Sequence, residues 1–171
     1  MRIVVCVSGA SGAGLGLKLY ESVKGEHEVS LVLSDSARKV LSLEEGYDNS
    51  QIDAPPSSGS YGTDITLIAP CSMNSLAKIA HGIADNLVTR AAAVAIKERK
   101  PLLIAPREMP FSPIALENML KLSNMGVIIA PPMLGYYSEQ KNLEDMENFI
   151  IGRWLDLVGI KNDLYKRWGN E

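Results

Sequence analysis

Five short apolar runs punctuate the chain, and between them apolar positions recur every three or four residues. The runs at 2–7 (RIVVCV), 28–34 (EVSLVLS), 64–70 (DITLIAP), 101–106 (PLLIAP) and 127–132 (VIIAPP) are too short and too continuously apolar for amphipathic helices. They read as buried strands. The segments between them carry the helical period. In 14–25, Leu15, Leu19 and Val23 share one face. Residues 35–46 read as a helix with Ser34 or Asp35 as cap and Gly46 as stop. Residues 72–85 predict one helix or two short ones, and 86–100 a longer helix capped by Asp85 or Asn86. A helix over 112–126 has Pro113 in its first turn, where the missing N–H costs nothing. The last helix spans 142–160, and a polar tail with isolated aromatics follows.

Strand and helix in alternation predict an α/β fold. The expectation is a three-layer, flavodoxin- or Rossmann-like parallel sheet with helices on both faces. The 171 residues make one domain over 1–171, with a tail from about 160 expected to pack at the active site or on a neighbouring subunit. One stretch breaks the rhythm. Residues 47–63 are rich in Ser, Gly, Pro and Asp and have no periodicity, and loops this long in compact domains tend to be functional.

Composition narrows the function classes. A net charge of −3 gives no global field for nucleic acid or an anionic membrane. No apolar run approaches the roughly 20 residues of a membrane span, and the first residues lack the pattern of a secretory leader. The expectation is a cytoplasmic protein. Cys6 and Cys71 read as buried free thiols, and the two histidines have no metal-ligand spacing, so no metal site is expected.

In open α/β sheets ligands sit at the carboxyl ends of the strands, so the residues following each run carry the chemistry. The first turn, SGASGAG, has glycines at 9, 12 and 14, which is not the dinucleotide spacing. The second strand ends in Ser34 rather than an acidic residue that would grip a ribose. Leu15 stands where a P-loop has its lysine. What remains is a glycine-rich backbone opening a helix, with hydroxyls from Ser8 and Ser11, suited to a single phosphate. A second cradle, PCSMNS, offers Ser72, Asn74 and Ser75 at another helix start. Such hydroxyl-rich, cation-poor turns fit a mononucleotide such as FMN, or they merely permit a tight strand-to-helix turn.

The cations lie elsewhere. Arg90 and Lys97 are seven residues apart on one helical face. Arg153 interrupts the apolar face FIIGRWL, and Arg107 and Glu108 follow the fourth strand. Lys97 also belongs to a charged helix end, and Arg153 could snorkel. Arg90 opens an Ala-rich run expected to be buried, where an unpaired charge is costly, so an anion or a partner's carboxylate is expected beside it. That Ala-rich helix, with Met119, Met125 and Met133, points to close helix packing or subunit contact.

SGASG after the first strand, the block from PCSMNSLAKIAHGIADN through PREMPFSPIALENMLKL, PPMLGYY and the terminal RWG resemble the UbiX-type flavin prenyltransferases over nearly the whole chain. That family was long described as aromatic acid decarboxylases. The resemblance implies transfer of a dimethylallyl group from dimethylallyl phosphate to N5 and then C6 of reduced FMN, without a metal. The product, prenylated FMN, would serve a UbiD-type decarboxylase as partner. By the same resemblance, Gly9, Ala10, Ser11, Ser34, Ser72, Met73, Asn74, Ser75 and Arg107 bind the flavin. Arg90, Lys97, Tyr137 and Arg153 hold the allylic phosphate across subunits, and Trp168 lies near the prenyl chain. Glu44, placed in the second helix, and Glu108 handle phosphate and protons, and Lys97 and Ser11 join them as catalytic groups. A homo-oligomer, a dodecamer in the family, is implied. The stretch before APPSSGS is shorter here than in many bacterial members, and Met73 and Asn74 replace smaller residues that some members carry. Two other readings fit the sequence less well: a flavin-dependent cysteine decarboxylase of the phosphopantothenoylcysteine type, whose P-x-M-N segment reads PREMP here, and a flavodoxin-like electron carrier, which is typically more acidic.

Overall fold

The computed structural model describes residues 1–169. Six parallel strands form one sheet in the order β3-β2-β1-β4-β5-β6. They are β1 (Arg2–Val7), β2 (Glu28–Leu33), β3 (Tyr47–Asp48), β4 (Ile65–Cys71), β5 (Leu102–Pro106) and β6 (Ile128–Ile129). Six α-helices cover the sheet: α1 (Ala13–Val23), α2 (Asp35–Leu41), α3 (Met73–Ala80), α4 (Leu87–Lys97), α5 (Pro113–Asn124) and α6 (Leu143–Leu157).

Pleating divides each central strand between two cores. Ile3, Val5 and Val7 point with Leu31 and Leu67 toward α1 and α6, where Leu19 and Trp154 meet them. Val4, Cys6, Val32 and Ile68 point the other way, toward Leu76 of α3, Leu87 of α4 and Leu122 of α5. Strands buried on both faces explain why their sequences are continuously apolar rather than alternating.

The structure departs from the periodicity in a few places. The 47–63 region supplies a sixth strand, β3, which adds to the β2 edge through Val32 opposite Tyr47, and two 3₁₀ turns at Pro55–Ser57 and Gly59–Tyr61. Its pairing spans only two residues, too few for a periodic signal. The second helix stops at Leu41, not Gly46, because Ser42 turns left-handed (φ 50°) and Arg38 Nη1 donates to the Leu43 carbonyl at 2.6 Å. Glu44 therefore lies in an exposed loop, not in a helix. Strand β6 is two residues long, and α6 ends at Leu157, where Gly159 takes φ 78°.

Candidate functional site

Chain order reverses between β1 and β4: β1 leads to β2 on one side, β4 to β5 on the other. At such a point the two outgoing loops part, and a crevice opens at the carboxyl ends of the strands. Here a cavity of about 110 Å³ lies between loop 8–11, loop 70–73 and the pair Arg107–Glu108.

Hydroxyls line its floor. The Ser8 and Ser75 Oγ atoms are 2.5 Å apart, and Ser72 Oγ lies 3.1 Å from each. Ser8 is buried, although nothing in its local sequence marks it more than Ser11; β4 lying beside β1 is what brings it to Ser72 and Ser75. Ser34 caps α2 by accepting from the Ala37 N–H and also accepts from the Gly9 N–H at 3.1 Å, so the end of β2 braces the glycine turn. Arg107 reaches across from β5 and donates from Nε to the Ser11 carbonyl at 3.1 Å.

Helix capping singles out one terminus. Helices α2, α3, α4, α5 and α6 each start with a side-chain cap: Ser34, Ser72, Asn86, Ser112 and Asn142. Among the described residues α1 alone starts without one, at Gly12 with φ 81°. Its Ala13 and Leu15 N–H groups bond to the Ala10 and Gly12 carbonyls, and the positive end of its dipole, with no side-chain acceptor, follows directly on the loop 8–11 that walls the crevice, the arrangement that receives a phosphate. The hydroxyls, the open helix end and the single arginine fit the phosphate tail of a flavin mononucleotide.

The glycines divide their work differently from their spacing. Gly9 and Gly12 hold φ of 104° and 81°, which L side chains rarely adopt. Gly14 has open space around it, whereas a Cβ on Gly16 would collide with the Ala69 carbonyl and lie 2.7 Å from Val7 Cγ2. Gly16, not Gly14, lets α1 lie close on the sheet.

Met73 lines the cavity, and Asn74 is exposed on the first turn of α3. Arg107 and Glu108 also border a neighbouring apolar trough of about 450 Å³ with Met109, Phe111 and Tyr136. Beyond it, Tyr137 stacks edge-on against Trp168 (5.3 Å) and Phe149 (5.7 Å), and Arg153 borders an adjoining apolar cavity of about 250 Å³. Tyr137, Trp168 and Arg153 therefore form a second group. The remaining candidates do not join either. Arg90 is exposed, not buried, because the apolar face of α4 is made by Leu87, Val88, Ala91, Ala92 and Ala95. It has no ion pair among the described residues. Lys97 pairs with Glu98 at 2.6 Å beside Gly59, near the amino ends of the strands, where Arg2 reaches the Tyr61 carbonyl. It lies at the opposite end of the strands from the cradle. Glu44 borders neither cavity. Cys71 is buried in the wall of the cradle, and that burial pushes its thiol up to about 12. Of the three methionines, Met119 packs in the core on α5, while Met125 and Met133 are exposed.

The Flavoprotein family model matches residues 1–155. A flavin prenyltransferase UbiX of Methanocaldococcus jannaschii is 44% identical over 99% of this chain and 99% of its own length. That of Campylobacter jejuni is 47% identical over 99% of this chain and all of its own. The chain belongs to the UbiX flavin prenyltransferases. Solved structures agree with this family. AnUbiX (PadA1), crystallised with FMN and dimethylallyl pyrophosphate, superposes with a TM-score of 0.92 at 35% identity, covering 99% of this chain and 98% of that one. A dodecameric FMN-dependent UbiX-like decarboxylase from Escherichia coli O157:H7 gives 0.91 at 37% identity, covering 99% and 100%. A PPC decarboxylase bound to pantothenoylaminoethenethiol gives only 0.63 at 27% identity, covering 78% of this chain and 82% of that one. Among the described residues no helix is long and apolar enough to cross a membrane.

Proposed function

We propose that this chain transfers the dimethylallyl group of dimethylallyl phosphate to N5 and C6 of reduced FMN, and that the prenylated flavin passes to a UbiD-type decarboxylase. The observation that carries this reading is the uncapped start of α1 above a floor of three serine hydroxyls. That is a seat for a flavin's phosphate, and it lies beside an apolar trough. Gly9, Ala10, Ser11, Ser34, Ser72, Met73, Asn74, Ser75 and Arg107 hold the flavin, which supplies the nucleophilic ring positions.

The reaction would break the allylic C–O bond, form the C–N5 bond with loss of the N5 proton and release phosphate; ring closure would then protonate the dimethylallyl double bond, form the C–C6 bond and lose the C6 proton. Cations must therefore sit where negative charge grows on the departing phosphate. Arg153 and Tyr137 supply a charge and a hydroxyl donor. Tyr137 and Trp168 offer aromatic faces to a carbon that turns cationic. Glu108, exposed beside Arg107 at the mouth of the cradle, is placed to take the proton. Arg90 and Lys97 reach this chemistry only from another copy, since Lys97 occupies the far end of the strands in its own chain. This requirement supports a homo-oligomer with sites at subunit contacts, and a UbiX-like relative is dodecameric.

The test is direct. Reduced FMN and dimethylallyl phosphate are mixed with the purified protein and the flavin is weighed by mass spectrometry. A mass gain of one dimethylallyl group is expected. Lys97→Ala and Arg153→Ala should keep FMN binding and slow the transfer by about tenfold or more. No mass gain, with decarboxylation of a peptidyl cysteine instead, would place the chain with the cysteine decarboxylases.

A further inference from the structure

Arg153 faces an obstacle to its assigned work. Asp156 lies one turn further along α6, and an i,i+3 carboxylate normally neutralises the arginine. A neutralised guanidinium competes poorly for phosphate. The C-terminal tail resolves this. Arg167 donates from Nη1 to Asp156 Oδ2 at 2.9 Å and from Nη2 to Oδ1 at 2.8 Å, a two-pronged fork that occupies both carboxylate oxygens. The Tyr165 hydroxyl donates to Oδ2 at 2.6 Å, and Asn162 Nδ2 donates to Oδ1 at 3.0 Å. What is left for Arg153 is a single long contact, Nη1 to Oδ2 at 3.4 Å, and another of 3.4 Å to the Tyr165 hydroxyl. The three charged groups together keep one net positive charge, and it resides on the arginine that lines the cavity.

The same fork places the aromatics. Trp168 follows Arg167 in the chain and meets Tyr137 edge-on, while Tyr165 packs on Phe149 at 5.1 Å, and Phe149 packs on Tyr137. One carboxylate thus holds the tail that carries Tyr165 and Trp168 and sets the direction of Arg153.

We infer that Asp156 is a positioning residue for the allylic-phosphate subsite: paired with Arg167, it orients Arg153 without neutralising it and fixes Trp168 against Tyr137. This rests on the prenyltransferase reading above. It makes a counterintuitive statement about Arg167. Removing that half-buried arginine frees Asp156 to pair fully with Arg153, which should weaken substrate binding even though Arg167 itself need not touch substrate.

The experiment uses the full chain with reduced FMN and dimethylallyl phosphate, measuring kcat, KM for the phosphate and the Kd for FMN. Arg167→Gln is expected to raise KM about tenfold with kcat changed about twofold at most and FMN affinity unchanged. Asp156→Asn is expected to raise KM by several-fold, since Arg153 loses its guide but keeps its charge. The double variant Asp156→Asn/Arg167→Gln should have a lower KM than Arg167→Gln alone, because the carboxylate that captured Arg153 is gone. An anchor that merely stabilises the tail would instead give additive losses. Unchanged KM in Arg167→Gln, or additive losses in the double variant, overturns the inference while leaving the activity standing. A wild-type chain that does not prenylate FMN overturns the functional reading, and the inference with it.

Discussion

Two regions of this molecule are proposed to meet phosphate, and they are built in opposite ways. The cradle between β1 and β4 uses backbone N–H groups, serine hydroxyls and glycine conformations, with Arg107 as its one close cation. The Arg153 region uses long charged side chains, an exposed tail and stacked rings. The first is fixed by the strands from which its loops spring. The second is fixed by side-chain contacts of residues 162–168 with α6, Tyr137 and Glu139. A backbone cradle is rigid before any ligand arrives and loses little entropy on binding. A side-chain cluster is adjustable, and its geometry can be lost without loss of the fold.

The difference can be broken or sharpened by mutation. The largest effect is expected from Gly16→Ala, whose new methyl meets the Ala69 carbonyl and Val7. Overpacking of this kind should cost about 1–3 kcal/mol, read as a lower denaturant midpoint. An unchanged midpoint would mean that α1 is not pinned to the sheet. Ser72→Ala follows. It removes the α3 cap and one corner of the hydroxyl triangle, for a loss of about 1 kcal/mol and weaker FMN binding by titration. Full FMN affinity in this variant would take the triangle out of the site.

Acid should separate the two regions next. Burial pushes the Asp156 carboxyl up, but hydrogen bonds from Arg167 and Tyr165 outweigh it, and the group titrates below its ordinary 3.8. A carboxyl with a lowered folded value contributes stability that is whole above about pH 4 and is lost as pH falls through that lowered value. The N–H and hydroxyl groups of the cradle do not titrate there. Hydrogen exchange, corrected for its intrinsic pH dependence, should show residues 160–168 opening on acidification before loop 8–12 does. Simultaneous opening would deny the tail its separate clamp. The smallest stability effect belongs to Trp168→Ala. That side chain is 80% exposed, so the midpoint should move by less than about 0.5 kcal/mol while prenyl transfer slows. A large stability loss would make Trp168 a packing residue rather than a wall of the site.

Much of this was legible in the chain itself. Apolar runs and helical spacing are local consequences of burial on two faces or one, and they located five of the six strands and all six α-helices. The caps of α2 and α4 were readable to within one residue, as Ser34 or Asp35 and as Asp85 or Asn86, since an N-cap acts on N–H groups two or three residues away, and the structure takes Ser34 and Asn86. The glycine turn and the PCSMNS turn announced themselves by composition. Glu44 was misplaced because a left-handed Ser42 and the reach of Arg38, neither visible in spacing, end the helix early.

What only the tertiary structure decided are relations between distant residues. Strand order sets β1 beside β4, and so makes one floor of Ser8, Ser72 and Ser75 from positions 64 and 67 residues apart. The run of α4 carries Lys97 to the far end of the strands and turns Arg90 outward. The fold of the tail gives both oxygens of Asp156 to Arg167 and leaves Arg153 one long contact of 3.4 Å with it. Periodicity reports which face of an element is buried; it holds no information on which element lies opposite, and a binding site is made of such oppositions.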